Sequence, residues 1–339
     1  MDAARFRLLN DWQHDFPRVE TPYAELAQTV GMDAEAVLAA YRAWLHEGTV
    51  SRIGPVVASG RVGASALVAL AVPSARLAEV AARVSQLSAV NHNYEREHLY
   101  NLWFVATAGS AAQLQETVER IAVATGCAPL LLPMEEAYHI DLGFDLGFRP
   151  EYGGRQVQTP WQAAAPCRLA EGERALLGVL QHGLPAVARP YAAVGERLGL
   201  SGAAVCAMVD GWLLSGLLRR FGVVVRHHEL GYAANAMCVW DVADEEVADF
   251  GRRLGAEAGV TLCYRRRRAL PQWRYNLFCM IHGKARAEVL ARRAAIADRL
   301  ALDRWPHAVL FSRRRFKQCG ARYMPDAAAS GVREETAHA

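Results

Sequence analysis

Residues 26–57 read LAQTVGMDAEAVLAAYRAWLHEGTVSRIGPVV, and residues 194–225 read VGERLGLSGAAVCAMVDGWLLSGLLRRFGVVV. The two stretches share one grammar at an offset of 168. Gly31 matches Gly199, and Arg52-Ile53-Gly54 matches Arg220-Phe221-Gly222. The same offset carries Pro17 onto Pro185 and Pro22-Tyr23 onto Pro190-Tyr191. In each copy a glycine ends one helical pattern, and Asp33 or Ser201 stands where it caps the next. Two short helices joined in this way are helix-turn-helix grammar. Each copy predicts three helices: 3–14, 22–30 and 33–47, then 171–182, 190–198 and 201–216. An extended segment follows each set, SRIGPVVAS at 51–59 and RRFGVVVRH at 219–227.

The repeat continues outward. Tyr94-Glu95-Arg96 resembles Tyr264-Arg265-Arg266 at offset 170, and Tyr100-Asn101-Leu102 matches Tyr275-Asn276-Leu277 at offset 175. The second copy therefore holds about five extra residues between those anchors. Alternating and 3.6-period patterns give strand, helix, strand, strand, helix, strand in each half. In the first half these are ASALVALAV (64–72), 75–88, AVNHNYER (89–96), YNLWFVAT (100–107), 110–125 and APLLLPM (128–134). In the second they are AANAMCVWDV (233–242), 244–256, GVTLCYRR (259–266), WRYNLFCMI (273–281), 284–300 and HAVLFSR (307–313). That order is the ferredoxin-like plan, a four-stranded antiparallel sheet with two helices on one face. The bare face needs a cover, and the other half is the economical one.

The expected class is α+β, with two tandem homologous halves forming an intramolecular pseudo-dimer. Helix-turn-helix domains are expected at 1–60 and 169–228, and ferredoxin-like domains at 61–148 and 229–324. A linker at 149–168 joins the halves, and 325–339 reads as a disordered tail.

Composition narrows the class. The 339 residues are 52% apolar and 22% charged, as in a globular protein. No apolar run approaches the roughly eighteen residues that span a bilayer, and the N-terminus has no signal-peptide core. The seven cysteines are odd in number and never spaced CxxC. No disulfide framework or thiolate zinc site is expected, and the cytoplasm is the expected compartment. Motifs of zinc proteases, P-loops and dinucleotide sites are absent. The net charge of +3 hides an asymmetry. Residues 1–160 hold 12 Arg and no Lys against 18 acids, whereas 161–339 hold 24 Arg and 2 Lys against 17 acids. The back half suits an anionic partner, either nucleic acid or a polycarboxylate.

The helix-turn-helix followed by βαββαβ resembles the Lrp/AsnC family of regulators. Longer strings narrow the resemblance: HNYEREHLYNLWF (92–104), RRFGVVVRHHELGYAANAM (219–237), LCYRRRRALPQWRYNLFCMIHG (262–283) and VLFSRRRFKQCGARY (309–323). These are similar to the sirohaem decarboxylases, over about residues 10–324. The first half looks like the D-type subunit and the second like the L-type. The resemblance implies removal of two acetate carboxyls of sirohaem as carbon dioxide, giving didecarboxysirohaem on the way to the d-type haem of nitrite reductase. It implies no organic cofactor, and the iron belongs to the substrate.

Candidate site residues follow from these strings. His227 and His228 are the catalytic candidates, one imidazole meeting the tetrapyrrole as iron ligand or proton donor. The first half has Ala58 and Ser59 in the places of Arg226 and His227 at offset 168, so a histidine function there belongs to the second half. Arg265 and Arg267 lie in a run of four guanidiniums, Arg265 to Arg268, which fit carboxylates bidentately. If Leu262 and Tyr264 face the helices, Arg265 and Arg267 share the ligand face, with Arg266 beside Tyr264. Arg315 and Lys317, close to Arg313 and Arg314, repeat the theme. His92 and Arg96 occupy the equivalent strand of the first half. His282 and His307 are weaker strand candidates.

The competing class is a regulator that senses a small ligand or haem. Its reading helices should carry base-contacting cations. The first has only Arg42 and His46, and the second has no basic residue. No specific DNA binding is expected.

Overall fold

The computed structural model describes residues 2–58, 60–140, 167–226 and 234–324. Most of the expected linker, His227, His228 and the expected tail at 325–339 lie outside the described residues. The chain forms two compact units. One takes the described parts of 1–62, 165–226 and 320–339, and the other those of 63–164 and 227–319.

The first unit holds both helix-turn-helix segments. Helices α1 (Ala3–Asn10), α2 (Pro22–Val30) and α3 (Ala34–Glu47) lead into strand β1 (Val50–Val57). In the second half, α6 (Glu171–Leu180), α7 (Pro190–Glu196) and α8 (Gly202–Leu214) lead into β6 (Leu218–Val225). Pro22 and Pro190 start their helices where no backbone donor is needed. Gly31 ends α2 at φ 71°, a left-handed conformation glycine adopts without strain. Asp33 then accepts from the amides of Glu35 and Ala36, and Ser201 from that of Ala204. The first helix stops at Asn10, short of the expected residue 14. The chain beyond it runs extended, with Phe16 N–H donating to Phe221 O at 3.0 Å.

Strands β1 and β6 pair with each other, Gly54 opposite Gly222. These are equivalent positions, so a local twofold relation runs through the ribbon. A Cβ on Gly222 would stand 2.2 Å from Gln13 O, which explains the glycine.

The second unit is a closed eight-stranded barrel. The first half supplies β2 (Ala64–Leu70), β3 (Val90–Arg96), β4 (Leu102–Ala108) and β5 (Pro129–Ile140). The second supplies β7 (Ala234–Trp240), β8 (Val260–Arg266), β9 (Leu277–Gly283) and β10 (His307–Gln318). The circular order is β10-β3-β4-β2-β5-β8-β9-β7. Strands β5 and β10 close it. Residues 129–133 of β5 pair with β2 in its own half, and 134–140 pair with β8 in the other. Residues 307–311 of β10 pair with β7, and 312–318 pair with β3. Closure removes the edges that four-stranded sheets would otherwise expose. Outside the barrel, α4 (Leu77–Gln86) and α5 (Ala111–Thr125) cover one sheet, and α9 (Val247–Gly255) and α10 (Arg286–Leu300) the other. Inside, Leu67, Trp103, Leu132, Met237, Tyr264, Phe278 and Leu310 belong to one apolar core.

The Tyr-Asn-Leu repeat is structural. Asn101 accepts from Val72 N–H and donates to Val72 O, at 2.9 and 2.8 Å. Asn276 does the same with Val242, at 3.0 and 2.9 Å. Each amide ties a hairpin to the end of a neighbouring strand.

Candidate active site

The barrel has two seams where the halves meet, β3–β10 and β5–β8. Their inner faces differ. Tyr94 of β3 lies opposite Trp103, a residue of the barrel core, so its ring faces inward. His92 stacks on Tyr94 with centroids 6.5 Å apart, and the Arg96 guanidinium lies 5.7 Å from the same ring. Across the ladder Arg315 stands opposite Tyr94, and Gln318 opposite His92. Arg315 Nη1 donates to Gln318 Oε1 at 3.2 Å.

The other seam repeats this register with different chemistry. Offsets of 170 and 178 place Leu262 for His92, Tyr264 for Tyr94, Ala137 for Arg315 and Ile140 for Gln318. Ala137 stands opposite Tyr264, and Ile140 opposite Leu262. All four belong to the barrel core or pack against it. One seam is thus apolar apart from the Tyr264 phenol, while its equivalent carries an imidazole, a guanidinium and an amide beside the Tyr94 phenol. Those four side chains are half-buried, open enough to meet a ligand.

Beyond Arg96 the polar face continues. Ser312 donates to Asn235 Oδ1 at 2.6 Å, and Asn235 lies opposite His282. Thr261 Oγ1 donates to Met280 O and lies 3.0 Å from His282 Nδ1. A hydroxyl has one proton, so when it goes to Met280 O the Nδ1–H of His282 donates to Thr261 and Nε2 carries the lone pair. Burial first, and the Arg96 guanidinium second, lower His282 to about 4. The imidazole is therefore neutral at pH 7, the form that accepts a hydrogen bond or ligates a metal. In the first half the same places hold Asn91 and Thr107, joined by a 2.7 Å hydrogen bond.

Arg96 itself is buried and donates to Leu310 O. Its equivalent, Arg266, donates to Leu132 O. A bond made in both halves joins the seams and is a structural role.

The arginine run departs from the expected parity. Leu262 and Tyr264 face the barrel interior, and Cys263 faces the helices. A bulge in β8 between Val260 and Leu262 resets the alternation. Cys263 is small enough to sit beneath α9, its Sγ 3.4 Å from Gly251 O, whereas the tyrosine ring fills the barrel. Arg265 turns outward to Glu135 and Asp244, at 3.0 and 2.8 Å, and Arg267 pairs with Glu135 at 3.5 Å. Arg266 lies beside Tyr264 as expected, its guanidinium 4.5 Å from the ring. Arg268 pairs with Asp241 and Asp244. The acids Glu135, Asp241 and Asp244 lie between these cations.

Lys317 stands opposite Asn93, whose amide reaches Ala81 of α4, and its Nζ donates to Leu87 O. It lies on the helix side, away from Arg315. Arg313 pairs with Glu97 outside the barrel, and His307 lies 3.5 Å from Asp303. His227 and His228 lie outside the described residues. The strand that follows them, β7, opens at Ala234 beside Asn235. Sequence reasoning missed Tyr94, Gln318 and Asn235 as parts of one face. His92 and Arg315 were already candidates, and setting each against its equivalent in the other half, Leu262 and Ala137, singles them out from the rest.

Family comparison agrees with this layout. A profile described as the AsnC-like ligand binding domain matches residues 61–139 and 229–317. One described as the Siroheme decarboxylase NirDL-like HTH domain matches 6–50 and 173–219. The Siroheme decarboxylase NirDL subunit of Paracoccus denitrificans is 41% identical over 324 residues, covering 95% of this chain and 97% of that one. The chain belongs to the siroheme decarboxylase family. Another member, the NirD subunit of Pseudomonas aeruginosa, is 51% identical over 146 residues, which is 43% of this chain and 97% of that one. A crystal structure of the siroheme decarboxylase NirDL in co-complex with an iron-uroporphyrin III analogue superposes with a TM-score of 0.67. It is 28% identical, over 95% of this chain and 94% of that one.

Proposed function

We propose that this chain is a sirohaem decarboxylase, a carbon–carbon lyase. It removes two acetate carboxyl groups of sirohaem as carbon dioxide and gives didecarboxysirohaem for the d-type haem of nitrite reductase. The observation that carries this is identity of 41% along 95% of the chain to a siroheme decarboxylase. The polar seam supports it, because it offers groups suited to an iron tetrapyrrole rich in carboxylates.

Each round of the reaction breaks one carbon–carbon bond, releases carbon dioxide and puts a proton on the former acetate carbon. The macrocycle delocalises the electron pair in between, so the reaction as proposed draws on no organic cofactor. Arg315 is the proposed carboxylate partner, since a guanidinium fork matches a carboxylate. His227 or His228 remains the proposed proton donor, and His92 adds an imidazole beside Arg315 on the polar face. His282, neutral at pH 7, has no imidazolium proton to give and is not assigned as the donor. A cytoplasmic location fits the seven cysteines, all free thiols. Among the described residues no helix is long and apolar enough to cross a membrane.

Anaerobic incubation with sirohaem, followed by mass analysis, tests the reading. Loss of two carbon dioxide units is expected, and unchanged sirohaem would sink it. The helix-turn-helix segments raise regulation as a second reading. Arg42 of α3 is held by Ala186 O and Glu35, and α8 carries no cation. We therefore propose no sequence-specific duplex binding, and gel retardation at moderate salt checks it.

A further inference from the structure

The hairpin after β8 is longer than its counterpart after β3. Three residues separate Arg96 from Tyr100, and eight separate Arg266 from Tyr275. The extension carries Trp273, which is 1% exposed and belongs to the barrel core. Hydrogen bonds between Ala269 and Trp273 close the hairpin at 2.9 and 2.8 Å. Arg268 pins its base to Asp241, Asp244, Val242 O and Arg274 O.

The indole lands between equivalent residues of the two halves. Its centroid lies 6.3 Å from Tyr100 and 5.0 Å from Tyr275, which are one equivalent pair. It lies 5.0 Å from Trp103 and 6.3 Å from Phe278, the other pair. His98 of the first half adds an edge contact at 5.4 Å. One indole thus occupies the place where the halves are related to each other. A shared place of this kind has room for one occupant.

We propose that Trp273 decides which halves pair. A barrel built from one first half and one second half receives one indole and is filled. Two second halves would bring two indoles to a single place, and a close-packed interior does not admit both. Two first halves would leave that place void, and a buried apolar void destabilises. The extension therefore acts against the wrong partners as well as for the right one, as specific interfaces commonly do. The consequence holds within one chain and between chains: every barrel contains one half of each kind. This inference is independent of the reaction proposed above.

The test starts from the full chain with a protease site placed in the linker at 149–168. The purified protein is cut, unfolded in denaturant, refolded by dilution and weighed by native mass spectrometry. The cut wild type is expected to re-form only mixed pairs. Trp273→Ala, and separately Trp273→Leu, should admit pairs of two second halves and move the mixture towards statistical proportions. Like pairs in the wild type would overturn the assignment. So would exclusive mixed pairing in folded variants. If both variants lose the fold before cutting, by circular dichroism, Trp273 is only a core filler and the assignment fails.

Discussion

Arg96 and Arg266 hold equivalent places in the two halves, and each donates to a backbone carbonyl of the other half. Arg96 Nη1 reaches Leu310 O at 3.1 Å, and Arg266 Nη1 reaches Leu132 O at 2.7 Å. Leu132 and Leu310 are themselves equivalent, at offset 178. Burial lowers the pKa of both guanidiniums, and no carboxylate is among the causes acting on either. They act as hydrogen-bond donors and ring partners at the seams. Replacing either by Met fills the space but leaves a buried carbonyl without its donor, at a cost of about 1–3 kcal/mol. Denaturant unfolding of Arg96→Met and Arg266→Met should show similar losses. A loss confined to one of them would refute the shared role.

His92 and Leu262 are also equivalent, and here the halves disagree. The substitution His92→Leu places in the first half the residue that the second half already accommodates. The fold should therefore survive, as seen by an unchanged thermal midpoint. Decarboxylation should fall by about 10-fold or more, since a charge-assisted hydrogen bond to the substrate contributes roughly 1.5–3 kcal/mol and about 1.4 kcal/mol is one decade. The reciprocal Leu262→His should gain no activity, since Ala137 and Ile140 flank it rather than Arg315 and Gln318. Turnover near wild type in His92→Leu would remove this histidine from the site.

The architecture was legible because repeats report it twice. Asp33 and Ser201 cap as their positions imply, and the βαββαβ order follows from period and turn signals. The site was less legible because side-chain direction depends on bulges, which leave no strong mark in the sequence. One bulge, between Val260 and Leu262, reversed the expected faces of the arginine run. A register shift between Arg315 and Lys317 likewise sends two neighbouring cations to opposite faces. Ion pairing was equally hidden. Glu135, Asp241 and Asp244 are distant in sequence from the cations they neutralise, so a run of arginines reads as unsatisfied. The asymmetry between seams, by contrast, was present in the aligned halves.

Arg315 and the Arg265–Arg267 pair make opposite predictions for substrate binding. Arg315 lies on the polar inner face, whereas Arg265 and Arg267 already engage Glu135 and Asp244. A charge-assisted hydrogen bond contributes roughly 1.5–3 kcal/mol, and about 1.4 kcal/mol is one decade of affinity. Arg315→Ala should therefore weaken sirohaem binding by about 10-fold or more. The double variant Arg265→Ala/Arg267→Ala should change it by less than about 3-fold, although it removes twice the charge. Equal losses in a spectroscopic titration would mean that only net charge matters, and the placement of Arg315 would carry no weight.

His282 predicts how stability depends on pH. The folded protein holds it at about 4, against 6.5 for a free imidazole, chiefly through burial and secondly through Arg96. Between those values the unfolded chain binds a proton that the folded one does not. Stability therefore rises with pH across this window, is fully present above 6.5, and is lost progressively down to about 4. A tenfold difference in proton affinity between the folded and unfolded chain corresponds to about 1.36 kcal/mol, so the full swing is ~3 kcal/mol at most. The variant His282→Thr installs the residue that the first half carries at Thr107, and Thr261 keeps a hydroxyl partner. It should unfold at about pH 7.5 much as wild type does, yet lose less stability than wild type on going to about pH 4.5. Paired denaturant curves at the two pH values measure this directly. Parallel losses in wild type and variant would show that other groups govern the acid response, and that His282 is not held neutral by the fold.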